Sequence, residues 1–280
     1  MNTQIKLSIT ALLLSSSMAL ADTAGDIADA MASKDIAGQY ASNVRETQIT
    51  ASKTLKQSLN FGATNTSGNS KTLNINGKYD MSFSTLGLFE EIMKVKFDFS
   101  GFVTKNNEVR DNEEYASNIG LEQFITDGWL GYTSVTWLKN NFKNFSHKVA
   151  IGAGIGKEVF KTSKQSLKFK LGIAQNIETY THPADIGGEL LDDRAFGSLN
   201  EYLEYNYQFN PTSQFFAKLG ASENFEDLTK DYDILASLGF NFSLAKNLSL
   251  NLEEEISFDN IPAGERKTDT KTIIRIGYNF

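Results

Sequence analysis

KTLNINGKYDMSF, residues 71–83, alternates along its whole length. Leu73, Ile75, Gly77, Tyr79, Met81 and Phe83 fall on one side, and Asn74, Asn76, Lys78, Asp80 and Ser82 on the other. A period of two specifies a β-strand with one dry face and one wet face. Two fold classes differ in which face points inward. In a soluble sandwich the apolar set packs in the core, whereas in a membrane barrel it faces lipid and the polar set lines the lumen.

Neighbouring segments decide between them. MKVKFDFSGFV, residues 93–103, sets Met93, Val95, Phe97 and Phe99 against Lys94, Lys96, Asp98 and Ser100. In SLKFKLGIAQ, residues 166–175, Leu167, Phe169, Leu171 and Ile173 face away from Lys168 and Lys170. The last segments, DYDILASLGFNF, LSLNLEEEISF and TKTIIRIGYNF, keep the code: Ile274, Ile276, Tyr278 and Phe280 alternate on one face, while Glu253, Glu255, Lys271 and Arg275 occupy polar positions. Unlike ions inside a dry sandwich cost several kcal/mol each before pairing, and a solvated lumen accepts them. The apolar face therefore points to lipid. Lys78, Asp80, Lys94, Lys96, Asp98, Lys168, Lys170, Glu253, Glu255, Lys271 and Arg275 form the expected lumen charge network, structural or pore-lining.

About twelve such segments of roughly ten residues fill residues 53–280, each the length of a tilted bilayer crossing. The expected architecture is all-β: a closed, antiparallel, up-and-down transmembrane β-barrel of about 12 strands, with a short helical or disordered N-terminal extension. Short connections fall at Thr126-Asp127, Asn210-Pro211-Thr212 and Ala245-Lys246-Asn247, and a Ser-Gly-Asn hairpin turn at Ser67 to Asn69. Longer loops are expected at Thr104 to Glu114, Leu138 to Ser146, Thr181 to Arg194, Glu223 to Asp231 and Asp259 to Lys267, the asymmetry of outer-membrane barrels. Counting back from these turns places Asp80 opposite Lys94 and Glu255 opposite Lys271, so charge pairs across strands are expected.

The amino end decides the compartment. MNTQIKLSITALLLSSSMALA, residues 1–21, carries one early cation, a short apolar core and Ala19-Leu20-Ala21, the pattern of a cleaved signal peptide. Residues 22–52 are rich in alanine and small polar residues and are expected to be a periplasmic extension; residues 53–280 are the barrel domain. The chain has no cysteine, so neither disulfides nor thiolate chemistry is available. Its 27 basic and 34 acidic residues give a formal charge of −7, or −8 once Lys6 leaves with the signal, which argues against a nucleic-acid partner. No stretch after the leader approaches the roughly 18 apolar residues of a spanning helix.

Three stretches resemble the salt-induced outer membrane protein family: LNFGATNTSGNSKTLNINGKYDMSF from Leu59, ITDGWLGYTSVTWLKNNFKNFSHKVAIGAGIGKE from Ile125, and the terminal IRIGYNF. The resemblance covers roughly residues 55–280. It implies a bacterial, Gram-negative outer-membrane barrel with no settled function, and it carries over no catalytic residues. Residues 22–52 lie outside the pattern.

Sharper local readings are weaker than bland ones. GAGIGK, residues 152–157, lacks the spacing of a phosphate loop because Ile151 holds the first glycine position and Glu158 the final Ser/Thr position. Gly152, Gly154 and Gly156 instead share one strand face and clear room in a crowded lumen, with Lys157 snorkelling on the lipid side. His147 and His182 fall near outer loops, with Ser146 and Asp185 close in sequence, but they define neither a catalytic cluster nor a metal site. Glu201 and Glu254 break the alternation by falling on the apolar face.

The expected protein is a non-enzymatic structural envelope barrel linked to osmotic or salt stress, without cofactor. A narrow passive channel for ions or small solutes is the alternative, and a lipid-modifying enzyme with an outer-rim histidine is a third reading. Outer-membrane lipid and the barrel-assembly machinery, acting through the C-terminal strand, are the expected partners. Solute, lumen state and oligomeric state stay open.

Overall fold

A computed structural model describes residues 54–66, 72–106, 109–140, 143–264 and 267–280. The expected signal peptide, the 22–52 extension and the Ser67 to Asn69 turn lie outside the described residues. Twelve strands follow in order: β1 Thr54–Thr66, β2 Thr72–Leu86, β3 Ile92–Asn106, β4 Val109–Thr126, β5 Trp129–Asn140, β6 Phe145–Lys161, β7 Gln165–Ile186, β8 Glu189–Asn210, β9 Ser213–Asn224, β10 Tyr232–Ser243, β11 Leu248–Asp259 and β12 Thr268–Asn279. Each pairs antiparallel with the next, and β12 returns to β1, so the sheet closes without a free edge.

The opening stretch, as β2, turns its apolar side outward. Ile75 is 53% exposed while Asp80 is 0% exposed. Phe61, Phe99, Ile119, Ile151, Ile173 and Ile276 are likewise exposed on other strands. Two aromatic levels frame this outer face. Trp129 and Trp137 on β5, and Tyr232 and Phe240 on β10, are each eight residues apart. At about 3.4 Å per residue that is ~27 Å along the strand. A tilt of about 40° reduces it to ~21 Å, close to the apolar band of about 25 Å on membrane barrels. Near the rim where β12 ends, here the proximal rim, Phe240 packs with Phe215 at 5.4 Å and with Phe209 at 6.3 Å, and Tyr278 meets Phe280 edge-on at 5.1 Å. Lys157 lies outside, its Nζ 4.6 Å from the Trp129 ring.

The turns depart from expectation in two places. The segments 104–114 and 181–194 are mostly strand, because β3 and β4 run on to Asn106 and from Val109, and β7 and β8 reach Ile186 and Glu189. At the second, Gly187 (φ 66) and Gly188 (φ 96) supply the left-handed backbone of a tight hairpin, and Asp185 Oδ1 accepts from Gly188 N at 2.8 Å. The β2–β3 turn instead places Phe89 (φ 59) and Glu90 (φ 57), neither a glycine, in the left-handed region. Gln123 of β4 holds that turn, its side-chain amide accepting from Leu88 N and donating to Leu88 O, both at 3.0 Å.

The centre of this turn shifts the β2–β3 register. Asp80 stands opposite Asp98 and Lys94 opposite Ser84, so the expected Asp80 to Lys94 pair does not form. Glu255 does stand opposite Lys271.

The closing seam is short. The β1–β12 ladder registers four pairs, from Ser58↔Asn279 to Phe61↔Ile276, against thirteen for β1–β2, and Phe280 N adds a bond to Gln57 O at 3.0 Å. Deleting Phe280 is therefore expected to lower the membrane-assembled yield much more than removing residues 22–27, as read by heat-modifiable gel migration. Equal yields would contradict this.

Candidate functional site

The interior is a column of ionised side chains contributed by nearly every strand. Strand alternation aims them inward, and glycine at neighbouring inward positions gives the larger ones room. The Tyr132 hydroxyl lies over Gly154 and Gly172: an added Cβ would sit 2.8 Å from it at Gly154 and 2.2 Å at Gly172. Leu130, Tyr132, Tyr202 and Leu235 meet as a buried apolar cluster inside the barrel, with Phe124 against it.

All eleven charges expected in the lumen point inward. The lysines on β3 and β7 meet a residue that sequence reading did not single out, Glu122 on β4. Lys96 Nζ is 3.4 Å from Glu122 Oε1, Lys168 Nζ is 3.5 Å from Oε2, and Lys170 Nζ also bonds Oε1. Lys94 stands in register with Glu122, and its ammonium lies 5.3 Å from the Phe124 ring. In the middle of the column Lys78 pairs with Asp80 at 3.2 Å, and Asn118 donates to Asp98 at 2.9 Å. Arg275 bonds Glu253 at 3.3 Å and reaches past β1 to Asn76 on β2 at 2.9 Å.

Toward the distal rim Lys271 bridges Glu255 at 3.1 Å and Glu114 at 3.3 Å. Glu178 pairs with Lys148 and Arg194, each at 2.7 Å, and accepts from the Tyr180 hydroxyl at 2.8 Å, and Arg194 continues to Asp231 at 2.7 Å. Glu114, Glu122 and Glu178 escaped the sequence reading because their inward neighbours are small or amide residues, Ala116, Asn118, Gly120 and Asn176, which blur the alternation. The signal was present in Ser117, Ile119 and Leu121 set against them.

The lumen is largely filled by side chains. Lys94, Lys96, Lys168, Lys170, Lys271 and Arg275 are all buried, as are Glu114, Glu122 and Glu178. Long side chains from facing walls interdigitate and shield one another, where a wide solvated bore would have left them exposed.

The distal mouth is covered. The tip of the β7–β8 hairpin bends back so that Ala184, Ile186 and Leu191 pack with Ala116, Leu138, Phe145 and Tyr180 of the inner wall and with Ala263 of the β11–β12 loop. Asn144 ties three connections together: its Nδ2 donates to His182 O at 2.7 Å and to Ala263 O at 3.2 Å, and its Oδ1 accepts from His182 N at 2.8 Å. Beside it Lys143 pairs with Asp269, and its Nζ lies 3.4 Å from Ser257 Oγ. Burial draws the Lys143 ammonium below its ordinary value, and the Asp269 carboxylate acts in the opposite sense.

The histidines take other partners. His147 Nδ1 accepts from Trp137 Nε1 at 3.3 Å, and His182 is tied by its main chain to Asn144. Among the described residues no three metal-ligating side chains are grouped. Of the two acids that break the alternation, Glu254 accepts from Thr272 Oγ1 at 2.7 Å, and Glu201 stands between Leu171 and Ala221 in register.

A closed twelve-stranded barrel with an apolar outer belt and an ionised interior has the architecture of a membrane-spanning β-barrel protein. The chain belongs to the family described as "Protein of unknown function, DUF481", which matches residues 59–280. Comparison with curated proteins found no match. Among solved structures it is similar to the COG4313 outer membrane channel from Pseudomonas putida F1, at 10% identity and TM-score 0.47, over 86% of this chain and 100% of that one. It is also similar to the NanC porin, at 9% identity and TM-score 0.41, over 81% of this chain and 99% of that one. The translocator domain of the autotransporter NalP from Neisseria meningitidis aligns at 12% identity and TM-score 0.42, over 81% and 86% of the two chains.

Proposed function

We propose that the chain is an integral outer-membrane barrel that provides a narrow, normally shut passage for ions or small solutes. The observation that carries this is the cover on the distal mouth: a hairpin folded over an ionised column and held by a few apolar contacts and the hydrogen bonds of Asn144. A cover of that kind can open without disturbing the strand ladders. The leader-like sequence of residues 1–21 and the outward apolar belt support an outer-membrane location, with the proximal rim in the periplasm and the covered mouth outside.

Single-channel recording on refolded full-length protein tests the reading. Ala184 is buried in the mouth cluster, so Ala184→Glu places a charge there and destabilises the shut state. Open probability is expected to rise about tenfold or more, the result of shifting the shut state by roughly 1.4 kcal/mol. Silence in both proteins would remove the passage.

A second reading, a sealed structural barrel, is favoured by the buried cluster of Leu130, Tyr132, Tyr202 and Leu235, and that silence is its expected result. The osmotic or salt-stress role implied by the family resemblance belongs to either reading. Expression indifferent to external salt would count against it.

A further inference from the structure

Lysines crowd one level of the column. Lys94 and Lys96 come from β3, and Lys168 and Lys170 from β7, a different part of the wall, and all four converge on the single carboxylate of Glu122. Lys170 is further flanked by the rings of Tyr132 at 5.1 Å and Tyr202 at 5.9 Å. The next carboxylates do not restore balance. Glu204 stands in register between Lys168 and Lys218, and Glu158, opposite Lys168, pairs with Lys161 at 3.3 Å. Lys218 is also near Glu253, which Arg275 shares, and Glu158 and Lys161 form their own pair at the exposed rim. Inside, Lys94, Lys96, Lys168, Lys170, Lys218 and Arg275 face Glu122, Glu204 and Glu253, six cations to three carboxylates.

The distal level differs. There Glu114, Glu178, Glu255, Asp231 and Asp269 at least match Lys143, Lys148, Lys271 and Arg194. A buried ammonium is stable only beside compensating negative charge, and three lysines sharing one carboxylate each receive a fraction of it.

We infer that the proximal lumen is a binding station for small oxyanions, solutes bearing a phosphate or carboxylate. Glu122 is the tethered carboxylate that already fills part of the station, and a solute anion joins it among the lysines. The inference rests on the passage reading and names its solute class: the excess of ammonium groups attracts an anion and repels a cation, and the lysines' flexible stems let a tetrahedral or planar oxyanion be held by point charges. The cations beyond the single charge of Glu122 are what a second anion neutralises, so it can enter beside Glu122 and leave again without stranding that carboxylate.

Inorganic phosphate is the probe. Full-length refolded protein in detergent micelles is titrated with phosphate against sodium chloride at constant ionic strength, and the thermal midpoint is followed. In the wild type the midpoint is expected to rise with phosphate and not with chloride. The double change Lys96→Met with Lys170→Met should abolish the rise, and Lys157→Met, outside the barrel, should retain it. Glu122→Gln removes the resident negative charge and should tighten phosphate binding on the order of tenfold, the value of one charge-assisted contact. If that variant refolds poorly, its yield becomes the readout: rescue by phosphate over chloride supports the station, and equal yields overturn it.

No midpoint rise in the wild type, or an equal rise in the double variant, overturns the proposal. Bilayer recording separates it from the passage itself. A protein stabilised by phosphate that never conducts keeps the station and loses the passage, and a conducting barrel indifferent to phosphate loses the station alone.

Discussion

Glu178→Leu is expected to destabilise the barrel by about 3 to 5 kcal/mol, measured by denaturant unfolding in detergent or lipid vesicles. Glu178 is fully buried, pairs with Lys148 and Arg194 and accepts from the Tyr180 hydroxyl, so its removal leaves two largely buried cations without their shared anion. Asp231 would still compensate Arg194. The triple change with Lys148→Met and Arg194→Met should recover most of the loss, since replacing a buried ionic group by apolar residues of similar volume is often neutral or better. A loss below about 1 kcal/mol for the single change would show that water reaches the cluster and that it behaves as an exposed pair.

The other large effect is steric. Gly172→Val should cut the yield of heat-modifiable, folded barrel severely. Its Cβ would fall 2.2 Å from the Tyr132 hydroxyl and 2.6 Å from the Ala153 carbonyl oxygen. Overpacking a filled interior costs about 1 to 3 kcal/mol even where side chains can move, and the Ala153 carbonyl is backbone held in a ladder. Tyr132→Phe should therefore restore Gly172→Val only in part. Gly131→Ala is the control, because an added Cβ there meets nothing within 4 Å and the yield should not change. Equal yields for the two glycine changes would mean that Tyr132 does not lie along this wall.

Strand existence, the outward direction of the apolar face and the near-rim register at Glu255 and Lys271 were legible in the sequence, because each depends on local alternation and on a turn of few residues. The register of β2 on β3 was not. It turns on a left-handed Phe89-Glu90 pair held by Gln123 from another hairpin, a tertiary contact with no local sign. The same limit hid the 104–114 and 181–194 strands, where polar residues that read as loop continue a ladder past the apolar belt. Within the column, lysines and arginines flanked by apolar neighbours stood out. Glu122 and Glu178 did not, although they organise the clusters: only the closed barrel brings β4 to β7, and Glu178 meets Lys148 and Arg194 only once β6, β7 and β8 are in register.

Several ties across the interior join residues far apart along the chain. Lys271 and Glu114 are separated by 157 positions, and Arg275 and Asn76 by 199. Contacts of such sequence separation pay their loop-closure entropy before they return any energy, and chains dominated by them fold slowly. Hairpins such as β7–β8 can form early from their own turns, but the charges they carry inward must wait in water until the last strand meets the first. Closure and drying of the column are thus one late event, and the rate at which a newly made chain becomes a finished barrel is set by how fast its two ends find each other.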